Sequence, residues 1–391
     1  MRLTGKLVLM LVLLMFSCGQ HLYAQQILAG TMSADRTLSP DEFDYYVVTD
    51  NYIVPQGITL TMLPGTRLRV MVGMSIKVEQ GNLIATGTAE EPVIFEAWDP
   101  QKKWKGISFS NSRTILDENN QYAGGSLLSH AVISEILQEP AVSLNDTSIL
   151  LAEHIKLENC DYGIKLNTES RLLLFESTIN MCSYGIYILS SGNNVIRNCN
   201  ITNCDIGINF ASNSISQYNI IENNNISYNE LIALFIPGNS RIQHNTIKAN
   251  TVTNNTIGLH VGNSGDADTG YNAIAHNVVQ FNGVGIKQSE DSDTLYYNLL
   301  ENNNTGLLLT KASFNNIRNN IVRNNSDAGI RLQEESNGNL FEQNNIYDNR
   351  AAVKIDTTYC TGNTFRYNSI TGNKVETFLV GSGPQLTIEY N

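Results

Sequence analysis

Two short acidic stretches carry the residues of this chain best suited to hold a cation. They lie in the loops at residues 262–268 and 288–293. Like charges placed close together repel one another unless solvent or a cation separates them, and Ca²⁺ takes oxygen ligands in irregular geometry. The predicted calcium ligands are Asp266, Asp268, Asp291 and Asp293. The predicted binding surface is Asp266, Asp268, Glu290 and Asp291.

A second interpretation of these stretches stays open. The chain has a formal net charge of −12, and so acidic a sequence contains neighbouring carboxylates by chance. Asp293 also stands where a repeated motif elsewhere has Asn, so it could serve the repeat alone. In that case both loops are simply solvated.

One motif recurs eight times between residues 194 and 373. It reads Asn, any residue, Ile or Phe, two further residues, Asn, any residue, then Ile or Val, and its copies start 21–27 residues apart. A second motif follows the copies: Gly or Ala, apolar, any residue, apolar, as at 207–210; it also occurs before the first copy, at 163–166 and 185–188. Both alternate with period two, which is the strand period, and repeats this short bury an apolar face only by stacking on their neighbours.

Asparagine indicates which solenoid the repeats build. It recurs at two fixed places in each repeat, it tolerates left-handed turns, and its amide both donates and accepts. On parallel coils about 4.8 Å apart such amides bond along the stack. The predicted structural ladder is Asn224, Asn250, Asn277, Asn298, Asn320, Asn344 and Asn368. A second predicted ladder is Cys160, Cys182, Cys204, Asn255, Asn282, Asn303 and Asn349. The pattern predicts an all-β, single-stranded right-handed parallel β-helix.

The two motifs together resemble the repeats of the pectin-lyase-like superfamily, in the branch of carbohydrate-binding proteins and sugar hydrolases, over about residues 150–375. The resemblance implies a glycan partner. It also places the groove of related lyases beside the two acidic loops, with a carboxylate-bound Ca²⁺ and an Arg or Lys base; the nearby candidates are Lys287 and Lys311. The paired aspartates and Gly-His-Gly of the hydrolases are absent, as is the Asp-Pro-His-Asp of the epimerases.

The chain divides into three predicted segments. Residues 1–24 are predicted to be a signal peptide, because a basic start precedes an apolar run too short to span a bilayer. An imperfect lipoprotein motif leaves a lipid anchor at Cys18 as the alternative. Residues 25–56 are predicted to be an N-terminal cap with its first strand at 45–48. Residues 57–391 are predicted to be the β-helix, interrupted by an excursion at 110–130 and ending in a strand at 385–390, without a transmembrane segment.

The cysteines, one tryptophan and two histidines have predicted roles in the structure rather than in a site. The spacing of the cysteines in the ladders predicts free, buried thiols instead of disulfides, because stacked parallel side chains are poorly placed for bonding. Trp104 is predicted to be a core residue rather than a sugar-stacking one. His244 and His276 are predicted to be exposed strand residues.

These observations predict an exported, non-catalytic scaffold of the cell envelope, on the cell surface, in the periplasm or secreted, that binds a glycan or a surface partner. The alternative is a polysaccharide lyase or hydrolase acting on an acidic glycan in a groove beside the 262–268 and 288–293 loops. The negative charge argues against nucleic acid as a partner, because a polyanion would be repelled.

Overall fold

The computed structural model describes residues 25–391 except 120, 137, 213, 239–241, 263–269, 357–358, 376–377, 381–385 and 390. All regular structure in this part of the chain is β-strand. The strands form a 15-stranded sheet, a 26-stranded sheet and one two-stranded hairpin. The predicted right-handed parallel β-helix is confirmed.

The solenoid has three faces. The 15-stranded sheet is the first face, and the 26-stranded sheet bends to make the second and third faces. The strands of the first face are β2 (Arg36–Leu38), β4 (Thr59–Met62), β7 (Asn82–Thr86), β12 (Leu127–Ser129), β15 (Ile149–Glu153), β17 (Arg171–Phe175), β19 (Val195–Arg197), β22 (Ile220–Glu222), β25 (Thr246–Lys248), β28 (Ala273–Ala275), β31 (Thr294–Tyr296), β34 (Asn316–Arg318), β37 (Leu340–Glu342), β40 (Asn363–Arg366) and β43 (Leu386–Glu389).

The strands of the second face are β5 (Arg67–Val70), β8 (Val93–Ala97), β13 (Ala131–Ser134), β20 (Asn200–Thr202), β23 (Asn225–Ser227), β26 (Thr251–Thr253), β29 (Val278–Gln280), β32 (Leu299–Glu301), β35 (Ile321–Arg323), β38 (Asn345–Tyr347) and β41 (Ser369–Thr371). Those of the third face are β6 (Ile76–Glu79), β9 (Ile107–Ser110), β14 (Pro140–Asn145), β21 (Ile206–Phe210), β24 (Ile232–Ile236), β27 (Ile257–Val261), β30 (Val284–Gln288), β33 (Thr305–Thr310), β36 (Ala328–Gln333), β39 (Ala351–Ile355) and β42 (Phe378–Val380). Four longer strands run along both faces: β1 (Gln25–Thr31), β3 (Tyr45–Val54), β16 (Lys156–Leu166) and β18 (Thr178–Ile188).

The core is a set of apolar stacks that run along the solenoid. One residue of each second-face strand points inward and lies over its counterpart in the next coil, as Val252 lies beside Val279. The predicted members Leu157, Ile179, Ile201, Val252, Val279, Leu300 and Ile346 are all buried, so this stack is confirmed. Ile226 and Val322 complete it.

Polar ladders occupy the corners between the faces. In the predicted asparagine ladder each side-chain carbonyl accepts from the preceding coil, as Asn277 Oδ1 accepts from Asn250 Nδ2 at 3.0 Å. This ladder and the Cys–Asn ladder are confirmed, and Asn229 and Asn325 belong to the latter. A third ladder begins the first face in eight successive coils. Its members are Asn194, Asn219, Asn245, Asn272, Asp293, Asn315, Asn339 and Asn363.

The N-terminal segment differs from the predicted arrangement. Residues 25–56, predicted as a cap, contain β1, β2 and β3, which already pair in the two long sheets. The prediction of a first strand at 45–48 is wrong, because β1 and β2 precede it. The excursion at 110–130 contains a hairpin of β10 (Thr114–Leu116) and β11 (Tyr122–Gly125), whose strands are antiparallel. The predicted last strand is present as β43. The signal peptide and Cys18 lie outside the described residues.

Candidate functional site

The outer side of the third face carries one row of aligned side chains. The Gly-apolar-x-apolar motif turns its two apolar residues inward, so the residue x between them points outward. Because the strands are parallel and in register, these residues lie one above another along the solenoid. We call this set the outer row. Its members are Lys165, Tyr187, Asn209, Phe235, His260, Lys287, Leu308, Arg331 and Lys354.

Aromatic side chains surround the first lysine of the outer row. Lys165 Nζ lies 5.3 Å from the ring centre of Tyr162 and 5.9 Å from that of Tyr187. Tyr162 and Tyr184 stack on each other with centres 5.1 Å apart, and Tyr187 meets Tyr184 edge-on at 5.4 Å. Burial raises the pKa of Tyr162 and of Tyr187. The tyrosines therefore keep their hydroxyl protons and stay available as donors.

His260 lies in the middle of the outer row and is buried, with 6% of its surface exposed. Its ring lies 4.8 Å from that of Phe235, and neither ring nitrogen makes a hydrogen bond within the described residues. Burial, with a smaller effect of Lys287, lowers the pKa of His260 to about 4. The imidazole is therefore neutral at neutral pH, with one donor and one acceptor that no described residue uses.

The cations of the outer row differ in their partners. Arg331 is paired with Asp356 at 2.7 Å, and Lys354 with Asp327 at 3.3 Å. Within the described residues Lys165 and Lys287 make no ion pair. None of the outer-row members from Lys165 to Lys287 is a carboxylate, so the two lysine charges are not neutralised inside the row.

The structure describes only part of the predicted acidic surface. Asp266 and Asp268 lie outside the described residues. Glu290 is buried, and Asp291 Oδ1 accepts the backbone N–H of Ser313 at 2.5 Å. Burial raises the pKa of Asp291, and this hydrogen bond opposes the rise.

Asp293 belongs to the ladder that begins the first face. Its Oδ1 accepts the N–H of Asn272 at 2.8 Å, and its Oδ2 accepts from Gln288 Nε2 at 2.7 Å. Burial raises its pKa to about 6. Asp293 thus does the work of a ladder residue, as one of the two sequence interpretations expected, and calcium binding by the two loops remains a prediction.

No three His, Cys, Asp or Glu side chains among the described residues are grouped closely enough to hold a metal ion. The five described cysteines are free and buried, as predicted: Cys160, Cys182, Cys199, Cys204 and Cys360. Burial raises the pKa of Cys199 to about 11, and hydrogen bonding between neighbouring thiols raises the pKa of Cys182 and Cys204.

Four further predicted residues have clear positions. Trp104 is fully buried, and its indole N–H donates to Ser134 O at 2.9 Å, so the core interpretation is confirmed. Lys287 lies in the outer row, whereas Lys311 pairs with Glu334 at 3.6 Å. His244 and His276 are exposed, but they occupy left-handed corner positions and not strands, so that part of the prediction is wrong.

The sequence matches two family models. The model described as the right-handed beta helix region matches residues 101–241 and 140–296, which together cover just over half of the chain. The model described as the periplasmic copper-binding protein (NosD) matches residues 238–391. In that region the described histidines and cysteine form no group of three that could hold copper. A comparison with curated proteins gave no match.

The structure is also similar to solved enzymes of low sequence identity. The periplasmic alginate epimerase AlgG is 13% identical, with a TM-score of 0.50, covering 93% of this chain and 84% of that one. The mannuronan C-5 epimerase AlgE4 A-module of Azotobacter vinelandii is 12% identical, with a TM-score of 0.47, covering 94% and 91%. The alginate lyase of Paenibacillus sp. str. FPU-7 is 14% identical, with a TM-score of 0.35, covering 83% and 93%. Such identities show the fold alone.

Fold and sequence matches together define a parallel β-helix of the pectin-lyase-like superfamily. The chain belongs to the right-handed β-helix family. In the part of the chain that the structure describes, no helix is long and apolar enough to cross a membrane.

Proposed function

We propose that this protein is an exported, non-catalytic β-helix that binds an acidic polysaccharide along its third face. The observation that carries the proposal is the stretch of the outer row from Lys165 to Lys287. There, two lysines that make no ion pair within the described residues flank aromatic and amide side chains, and no member of the outer row between them is a carboxylate.

Charge and length favour a polymer as the ligand. The chain as a whole carries −12 and repels polyanions at long range, so attraction must come from local cations. Lys165 and Lys287 are five coils apart, which is about 24 Å at the spacing of parallel strands. A single sugar cannot reach both lysines, whereas a carboxylated chain lying along the solenoid can.

The side chains between the lysines suit sugar rings. The rings of Tyr187 and Phe235 offer apolar surfaces on which the C–H faces of a pyranose can pack. The amide of Asn209 and the neutral imidazole of His260 both donate and accept, as sugar hydroxyls do.

Export is supported by the predicted signal peptide and by the description of both NosD and AlgG as periplasmic. Alginate, the polymer named with the similar epimerase, is a chain of uronic acids and is therefore a suitable first ligand. No outer-row member between Lys165 and Lys287 is a carboxylate, which favours binding over carboxylate-based acid–base chemistry along this part of the row.

Titration calorimetry with alginate tests the proposal, with neutral dextran as the comparison polymer. The double variant Lys165→Gln with Lys287→Gln should bind alginate about tenfold more weakly, because two charge-assisted contacts are lost. Lys354→Gln is the matched control, since this lysine lies in the same row but is already paired with Asp327. Equal binding of dextran and alginate, or an unaffected double variant, would contradict the proposal.

The same protein should be incubated with alginate while unsaturated and reducing ends are measured. The proposal expects no release of either. Sustained release that is lost in a variant of the 288–293 loop would reject the non-catalytic interpretation and support the lyase or hydrolase alternative.

A further inference from the structure

A polar cleft lies on the second face, near the N-terminal end of the described chain. It has a volume of about 430 Å³ and is lined by Asp44, Tyr45, Arg67 and Arg69. These residues come from β3, β5 and the turn before β3, so successive coils hold them in place. The cleft is on a different face from the outer row and shares no residue with it.

Two arginines share one carboxylate oxygen beside this cleft. Glu96 Oε1 accepts from Arg67 at 3.1 Å and from Arg69 Nε at 2.9 Å. A guanidinium has five N–H donors in a planar fork, so both arginines keep donors beyond the one each gives to Glu96. Because Asp44 also lines the cleft, directed N–H groups and not an excess of charge would select the ligand.

Aromatic rings hold one of the two guanidinium groups in a defined plane. Arg69 Cζ lies 4.6 Å from the ring centre of Tyr45 and 6.0 Å from that of Trp98. The Tyr45 and Trp98 rings lie 6.0 Å apart at 49°. Stacking of this kind reduces the freedom that a guanidinium loses when it binds a carboxylate. Trp98 is 41% exposed, so part of its indole faces solvent beside the arginine.

We infer that this cleft binds a uronic acid residue. Its carboxylate accepts N–H groups of Arg69 and Arg67, and the C–H face of its pyranose ring packs on the Trp98 indole. The inference goes beyond the proposed role of the outer row and does not depend on it. A glycan chain that occupied both sites would gain affinity from their fixed separation on a rigid solenoid.

The chain contains two tryptophans, and this gives the site its own reporter. Trp98 is exposed beside Arg69, which lines the cleft, whereas Trp104 is fully buried. Acrylamide, a neutral quencher, should therefore quench Trp98 and spare Trp104. Glucuronate should protect the fluorescence from acrylamide in a saturable way, and glucose at the same concentration should not. In Trp98→Phe the glucuronate-dependent change should vanish.

Arg69→Gln should raise the half-saturating glucuronate concentration about tenfold or more, since a charge-assisted contact is lost. Arg366→Gln is the matched control: this arginine also pairs with a glutamate, Glu342, at 2.9 Å, but it lies on the first face.

Melting curves confirm that each variant is folded. If Arg69→Gln does not fold, Arg67→Gln replaces it as the test variant. The Lys165→Gln and Lys287→Gln double variant should keep the full response, so the two sites can fail separately. Protection by glucose equal to that by glucuronate, no protection at all, or protection unchanged in both arginine variants would overturn the inference.

Discussion

A single ladder asparagine satisfies several buried groups at once. Asn277 Nδ2 donates to Ile247 O at 2.9 Å and to Asn298 Oδ1 at 3.0 Å, while its Oδ1 accepts the backbone N–H of Asn250. The sequence predicted the ladder because donor and acceptor sit on one short side chain. It did not predict the bonds to backbone carbonyls, since these depend on how tightly the corner turns.

Replacing one ladder amide should therefore leave buried groups without partners. Asn277→Ala is expected to lower the free energy of unfolding by about 3 kcal/mol. Asn345→Ala is the control, because Asn345 is an exposed asparagine in strand β38; it should cost less than about 0.5 kcal/mol. Urea denaturation measures both, and equal losses at the two positions would contradict the ladder.

The carboxylate at Asp293 predicts a pH dependence of stability. Burial raises the pKa of Asp293 to about 6, above the unfolded value of about 3.9. Between these two values the folded state binds the proton and the unfolded state does not, so stability falls as pH rises from about 4 to 6. The substitution Asp293→Asn removes this pH-dependent loss of stability. The side-chain amide of the new asparagine can donate to Asn315 Oδ1, as other ladder residues donate to the next coil.

We expect Asp293→Asn to raise the melting temperature at pH 8 by a few degrees and to change it little near pH 4, both measured in chelator. Gln288 Oε1 has no hydrogen-bond partner in the described part of the chain, so a flipped Gln288 amide could accept from the new asparagine. A variant destabilised at pH 8 would show that the carboxylate itself is required there.

At the scale of the strand, the sequence predicts the inward stack by counting back six residues from the Gly or Ala that begins each second motif. Ile226 and Val322 were missed because they precede their Ala233 and Gly329 by seven. The corners after Asn229 and Asn325 each contain one more residue, and the third-face strands beyond them pair in register with those of the preceding coil. A fixed spacing of six residues does not locate these stack residues, because the extra residue lengthens the corner and leaves both strands in place.

Two neighbouring valines of β29 give a matched test of the register. Val279→Asp would bury a charge between Val252 and Leu300, which should cost several kcal/mol and unfold neighbouring coils. Val278→Asp makes the same change on the outer side of the same strand, where we expect a loss below about 1 kcal/mol. Thermal melting followed by circular dichroism separates the two. Similar melting temperatures would place Val279 outside the core.

At the scale of the whole molecule, the sequence predicted the fold better than the candidate site. The fold depends on the fixed positions of the repeat, which recur in every coil. The outer row consists of the variable x positions of the second motif. The sequence of a single repeat does not show that Lys165 and Lys287 lie in the same row on the third face. Which cations of the outer row are paired also depends on the registered coils, since these place Asp356 beside Arg331 and Asp327 beside Lys354.

Calcium binding by the acidic loops remains the prediction that concerns the stability of the whole solenoid. An ion that binds only the folded state stabilises it by mass action, by about 3 kcal/mol when its concentration is a hundred times the dissociation constant. Calcium should then raise the melting temperature and chelator should lower it.

Asp268→Asn combined with Asp291→Asn should abolish this response without unfolding the protein. An asparagine at 291 keeps the oxygen that accepts the Ser313 N–H. Asp117→Asn combined with Glu118→Gln, in the excursion of the chain, is the control and should leave the response intact. If calcium does not move the wild-type melting curve, and calorimetry shows no heat, the loops are only solvated and the lyase alternative loses its metal.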